Sequence, residues 1–167
     1  MSDLTYAEVG ATRVPTALPA GYRHATRRAR LGTGEATFAR AAEALRTGRM
    51  FRAAGLRHRA TAPTVAEGVD LAVGVGVGAV RLWAPCRVVW VVDEPRRYGY
   101  GMGTLPGHPA SGEEAFEVTL DDDDRVWFEV RAFSRPATWY TRAGGPVTRT
   151  AQKWISGRYV RGLRRLT

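Results

Sequence analysis

His108 is followed by Glu113 and Glu114 within the stretch GTLPGHPASGEE, residues 103–114, the densest cluster of polar groups in the chain. An imidazole oriented by a carboxylate can accept and return a proton near neutral pH, so His108, Glu113 and Glu114 are the candidate acid–base residues. The same three side chains could form part of a metal shell. Their spacing matches no zinc signature, and no metal is assigned. The plain alternative is a hairpin loop in which Pro-Gly-His-Pro makes a rigid bend and the histidine is solvated. Period two in an extended chain adds one constraint: Glu113 and Glu114 face different ways.

Other reactive types carry less. Cys86 falls on an apolar strand face and reads as a buried, inert thiol. No Gly-x-Ser-x-Gly elbow is present, and nothing pairs His24 or His58 with a nucleophile. Four successive acids, Asp121–Asp124, sit between two strands and read as a solvated turn. Two glycine stripes stand out: Gly74, Gly76 and Gly78, then Gly99, Gly101 and Gly103, each alternating with larger residues. Glycines on one strand face leave it bare, either for curvature and packing or for close approach of a ligand or another backbone. Neither stripe has the Gly-x-Gly-x-x-Gly spacing of a phosphate loop, and no cofactor is implied.

The elements that must position these residues follow from periodicity. Residues 1–21, with Gly10, Pro15, Pro19 and Gly21, read as an extended or irregular lead-in. Tyr22 to Leu31 reads as a strand. Thr33 is the expected N-cap of a helix from Glu35 to about Phe51, with Phe38, Ala41, Ala42 and Leu45 on its apolar side. A short strand is possible between Gly55 and Pro63. Five strands then follow: Val69–Val77, Val80–Asp93, Arg97–Leu105, Ala115–Leu120 and Arg125–Ser134. In the second, Leu82, Ala84, Cys86, Val88, Trp90 and Val92 are expected on one face. Residues 136–166 read as a C-terminal helical segment with a kink near 144–146, where Gly-Gly-Pro interrupts it. Val147, Ala151, Trp154, Ile155, Tyr159, Gly162, Leu163 and Leu166 mark its apolar face. The 167 residues predict a single α+β domain: an antiparallel sheet with helices on one face and a long terminal helix enclosing a cavity.

Charge is uneven. Of 25 basic residues, 24 are arginine, against 16 acidic ones, for a net charge of +9. Nine basic and no acidic residues lie from Val130 onward, so the whole excess belongs to the C-terminal segment. With Trp139, Tyr140, Trp154 and Tyr159 interleaved, that segment could bind nucleic acid or an anionic membrane surface. Because Trp154 and Tyr159 fall on the expected apolar face, a solvated arginine face is the stronger reading: nucleic acid is not expected, and a membrane surface has only weak support. No apolar run is long enough to span a bilayer. The N-terminus does not read as a signal peptide, and one cysteine needs no oxidising compartment, which makes the cytoplasm the expected location.

At Leu4-Thr5-Tyr6, Glu8-Val9-Gly10, Ala84-Pro85-Cys86-Arg87-Val88, Phe133-Ser134-Arg135-Pro136 and above all Thr104–Pro109 with Gly112–Phe116, the sequence resembles the uncharacterised domain-of-unknown-function family numbered nineteen-ninety. The resemblance covers essentially the whole chain. It implies a START-like, helix-grip fold, a curved antiparallel sheet of about six to seven strands packed on the C-terminal helix, and it implies no established activity. It raises the weight of His108, Glu113 and Glu114. The expected function is binding of a small apolar or amphipathic ligand between sheet and helix, with Trp90, Tyr98, Tyr100, Met102, Thr104, His108, Glu114 and Phe128 as contact residues. The alternative is an enzyme on the same fold using His108 with Glu113 or Glu114.

Overall fold

The computed structural model describes residues 3–77, 80–138, 142–143 and 145–167, with backbone only at 77, 145–149, 151 and 152. The positions noted above at Gly78, Trp139, Tyr140 and Gly144 lie outside the described residues, as do the side chains of Val147 and Ala151.

Seven strands form one antiparallel sheet in the order β1-β7-β6-β5-β4-β3-β2. They are β1 (Arg23–Thr33), β2 (Arg57–Ala60), β3 (Asp70–Val77), β4 (Val80–Glu94), β5 (Arg97–Thr104), β6 (Ala110–Leu120) and β7 (Arg125–Pro136). From β2 to β7 each strand pairs with the next in sequence, whereas β1 pairs with β7. The helices α1 (Glu35–Arg46) and α2 (Arg49–Ala53) therefore connect the two edge strands across one face, and α3 (Gly145–Arg164) returns over the same face.

The core lies between that face and the helices. Phe38 and Leu45 of α1, Phe51 of α2 and Tyr159 and Leu163 of α3 are buried against Val88, Tyr100, Phe116, Val118 and Phe128 of the sheet. The rings of Phe51, Phe116 and Tyr159 meet edge to face at 5.1–5.8 Å, a favoured geometry for buried aromatics.

Four local expectations change. The first helix is capped by Gly34 rather than Thr33, which ends β1, and it stops at Arg46. Gly48 has φ 66°, a left-handed conformation that breaks the helical run and starts α2. Strand β6 begins at Ala110, so Glu113 and Glu114 belong to a strand, paired with Gly103 and Met102. The expected face of β4 switches midway: Val88 pairs with Met102 and Trp90 with Gly101, leaving Val89 as an extra residue. This bulge sends Trp90 and Val92 to the outer face, where they pack with Ala115 in a second apolar cluster. Trp154 also departs from the expected pattern, being about half exposed and stacked under Arg158 at 4.5 Å.

Two arginines of α3 are tied to backbone carbonyls. Arg158 Nε donates to Ala54 O at 2.6 Å and Arg164 Nη2 to Arg30 O at 3.0 Å, fastening the helix to α2 and β1.

Candidate functional site

Glu113 and Glu114 lie on opposite faces of β6. On the outer face the N-terminal segment crosses the sheet, and Glu113 is where it is fastened. The Glu113 carboxylate, 2% exposed, accepts from Tyr6 Oη at 2.6 Å, Gly10 N at 2.7 Å and Thr12 N at 3.0 Å. The Thr12 hydroxyl also donates to it, and Trp90 Nε1 is shared between Thr12 Oγ1 at 3.0 Å and Glu113 Oε1 at 3.2 Å. Burial and the bond to Glu113 hold the Tyr6 phenol far above its ordinary range.

A second buried charge extends this network. Arg131, 1% exposed, donates to Thr12 O at 3.1 Å, Glu129 Oε1 at 2.8 Å and Glu117 Oε2 at 3.1 Å, and Arg97 reaches Glu117 from β5 at 2.9 Å. The glycine stripe of β5 belongs to the same assembly. A Cβ at Gly101 would run into the Trp90 indole, and one at Gly103 into Tyr6 and Leu4. The bareness of that face accommodates this chain's own aromatic side chains.

His108 joins neither glutamate. Its Nδ1 lies 2.9 Å from Ala110 N and 3.0 Å from Ala110 O across the turn before β6, accepting from the amide when unprotonated and donating to the carbonyl when protonated. Burial lowers its pKa to about 4, with the bond to the Ala110 carbonyl opposing the shift. Among the described residues no hydrogen bond or ion pair links His108 to Glu113 or Glu114, so the expected acid–base trio is not assembled. Thr104 closes the same turn, its hydroxyl accepting from Gly112 N at 3.0 Å.

Glu114 faces the helices. It borders a cavity of about 700 Å³ between β1, β7 and α3. Ala25, Val130 and Ala132 supply apolar wall, and Arg23, Arg27, Lys153 and Ser156 carry polar groups around it. Among the described residues the Glu114 carboxylate has no hydrogen-bond or ion-pair partner, and burial raises its pKa to about 7. Arg23, Arg27 and Lys153 form no ion pair among the described residues, although Arg27 Nη1 donates to Lys153 O at 3.4 Å. Tyr100, fully buried, has an unpartnered hydroxyl. Burial pushes the Tyr100 and Tyr159 phenols and the Cys86 thiol well up, and the nearby Glu114 carboxylate adds to each shift.

Of the expected contact residues, Glu114 borders this cavity. Tyr98, Tyr100, Met102 and Phe128 are packed in the core at 0–3% exposure. Trp90 is on the other face, Thr104 ends β5 and His108 is in the β5–β6 turn. The reason is the α1–α2 pair, whose Phe38, Met50 and Phe51 occupy the part of the groove where those side chains lie. The cationic rim from β1 was missed; the alternating Arg23, Ala25, Arg27 and Ala29 carried its signal. Among the described residues no group of three metal-binding side chains occurs, and no helix is long and apolar enough to cross a membrane.

A curved antiparallel sheet closed by a long C-terminal helix, with a cavity between them, defines a helix-grip protein. Solved structures share this architecture: a hypothetical protein of Helicobacter pylori (TM-score 0.66, 10% identity, 84% of this chain and 85% of that one), an aromatase/cyclase of Streptomyces (0.56, 14%, 86% and 92%) and norcoclaurine synthase of Thalictrum flavum in complex with a transition-state analogue (0.57, 10%, 88% and 96%). At such identities the likeness is one of fold. The chain belongs to the domain of unknown function family DUF1990, whose model matches residues 5–162. It is similar to a UPF0548 protein of Deinococcus radiodurans, 38% identical over 95% of this chain and 85% of that protein, and to one of Dictyostelium discoideum, 29% identical over 73% and 62%.

Proposed function

We propose that this protein binds a small amphipathic molecule in the cavity between β1, β7 and α3. The observation that carries this reading is the space itself: about 700 Å³ with apolar wall at Ala25, Val130 and Ala132 beside charged groups. Ligand sites are typically concave, mostly apolar and of this size, with few polar groups to set orientation. Helix-grip neighbours include proteins solved with small molecules, among them norcoclaurine synthase with dopamine and hydroxybenzaldehyde, which supports the same use of the fold. Catalysis by His108 with a glutamate has no support from the geometry, because His108 is engaged with Ala110 and both carboxylates lie elsewhere.

The test is a fluorescence titration of the full chain with 1-anilinonaphthalene-8-sulfonate. Wild type binds it saturably, and Ala25→Trp, which fills the cavity from β1, loses that binding while keeping its unfolding midpoint within a few degrees. Saturable binding left unchanged by Ala25→Trp, or no saturable binding to wild type, overturns the proposal.

A further inference from the structure

The cavity has solvent-exposed cations at its rim and a partly buried carboxylate in its wall. Arg23, Arg27 and Lys153 stand around it without a carboxylate partner among the described residues, while Glu114 borders it without a donor. Behind Glu114, diagonally across β5 and β6, the Tyr100 hydroxyl is also buried and unpartnered. Tyr100 is sealed in the core, whereas Glu114 is partly buried and opens on the cavity, so its carboxylate is the acceptor that a bound molecule can reach.

We infer that the cavity takes an amphipathic anion carrying a hydroxyl group, with the acid group against Arg23, Arg27 and Lys153, the apolar body on Ala25, Val130 and Ala132, and the hydroxyl donating to Glu114. The inference rests on the reading of the cavity as a ligand site. A cation is the other class that would satisfy Glu114, but it would have to pass three positive side chains that repel it. A neutral hydroxyl meets no such barrier and supplies the donor that the carboxylate lacks. The anionic end of the same molecule answers the cations, where arginine offers paired donors to an oxyanion. Glu114 is then the residue that determines specificity: an acceptor that the ligand covers and leaves unpaired disfavours an analogue lacking the hydroxyl.

The experiment compares two probes by calorimetric titration at pH 8: 2-naphthoate, and 6-hydroxy-2-naphthoate, which adds only the distal hydroxyl. Wild type is expected to bind the hydroxylated probe about tenfold more tightly or better, the scale of a hydrogen bond to a charged acceptor. Glu114→Leu removes that preference, and Glu114→Gln, which keeps the shape and one acceptor, retains a smaller part of it. Arg27→Ala weakens both probes alike. Equal affinity of wild type for the two probes, or a preference that survives Glu114→Leu and Glu114→Gln, overturns the inference while the cavity reading stands. Failure of both naphthoates where the anilinonaphthalene dye still binds and Ala25→Trp still blocks it has the same meaning. Failure of all three ligands removes the cavity reading and the inference with it.

Discussion

Glu113 and Glu114 are adjacent, identical in type and on the same strand, yet they sit in opposite kinds of surroundings. Glu113 is enclosed by the N-terminal segment and receives donors from Tyr6, Gly10, Thr12 and Trp90. Glu114 borders an open cavity and receives none among the described residues. A buried carboxylate with every lone pair engaged holds structure together, because removing it strands its donors. A partly buried carboxylate with nothing bonded to it stores an unmet interaction, which a ligand can satisfy. The difference between a fastening and a site here is hydrogen-bond satisfaction, not residue chemistry.

The contrast can be broken most forcefully at Glu113. Glu113→Ala leaves several buried donors unpaired and releases the N-terminal segment, with an expected loss of about 3–5 kcal/mol in chemical denaturation. A loss below 1 kcal/mol would show that the outer network is not a structural fastening. Next in size is Gly101→Ala, whose new methyl collides with the Trp90 indole. The expected destabilisation is about 2–3 kcal/mol, with red-shifted tryptophan emission as the indole moves toward solvent.

Glu114→Gln is expected to move stability in the opposite direction. The folded pKa near 7 lies above the ordinary 4.5, so the contribution of Glu114 is fully present below pH 4.5 and disappears as pH rises through 7. The variant avoids the burial of a charge and should exceed wild type at pH 8 by on the order of 2 kcal/mol, with little difference at pH 4.5. Urea titrations at the two pH values decide the matter, and a variant less stable than wild type at pH 8 would sink it.

The smallest effect belongs to His108, where the sign reverses. Its folded pKa near 4 lies below the ordinary 6.5, so its contribution is present above pH 6.5 and lost as pH falls through 4. His108→Asn retains an acceptor for Ala110 N and should flatten the acid side of the stability profile by about 1 kcal/mol. Identical profiles for wild type and His108→Asn between pH 7 and 4.5 would contradict this.

Much of the architecture was legible because period two and period 3.6 are local. The alternation of Phe116, Val118 and Leu120, and of Val126, Phe128 and Val130, marks strands whose apolar sides face the helices in the fold. The switch at Val89 was not legible, and for a definite reason. Val88, Val89, Trp90, Val91 and Val92 are all apolar, so either phase of the alternation reads equally well, and the bulge leaves no trace in the pattern. Unbroken alternation places Trp90 with Val88 on the cavity side, and the bulge puts it on the opposite face. The candidate site was half legible: the divergence of Glu113 from Glu114 follows from strand geometry, but which one meets the cavity does not.

From sequence alone came the α+β class, the strand and helix succession and the clustering of basic charge at the C-terminus, consequences of composition and short-range periodicity, and, from its motifs, the family resemblance. Tertiary structure decided which polar groups find partners. Tyr6 and Thr12 reach Glu113 across about a hundred residues of chain, and Arg23 and Arg27 reach the cavity because β1 pairs with β7 rather than with its neighbour in sequence. Hydrogen-bond satisfaction depends on such long-range placement, and no local pattern encodes it. For that reason one of two neighbouring glutamates became a fastening and the other an open acceptor.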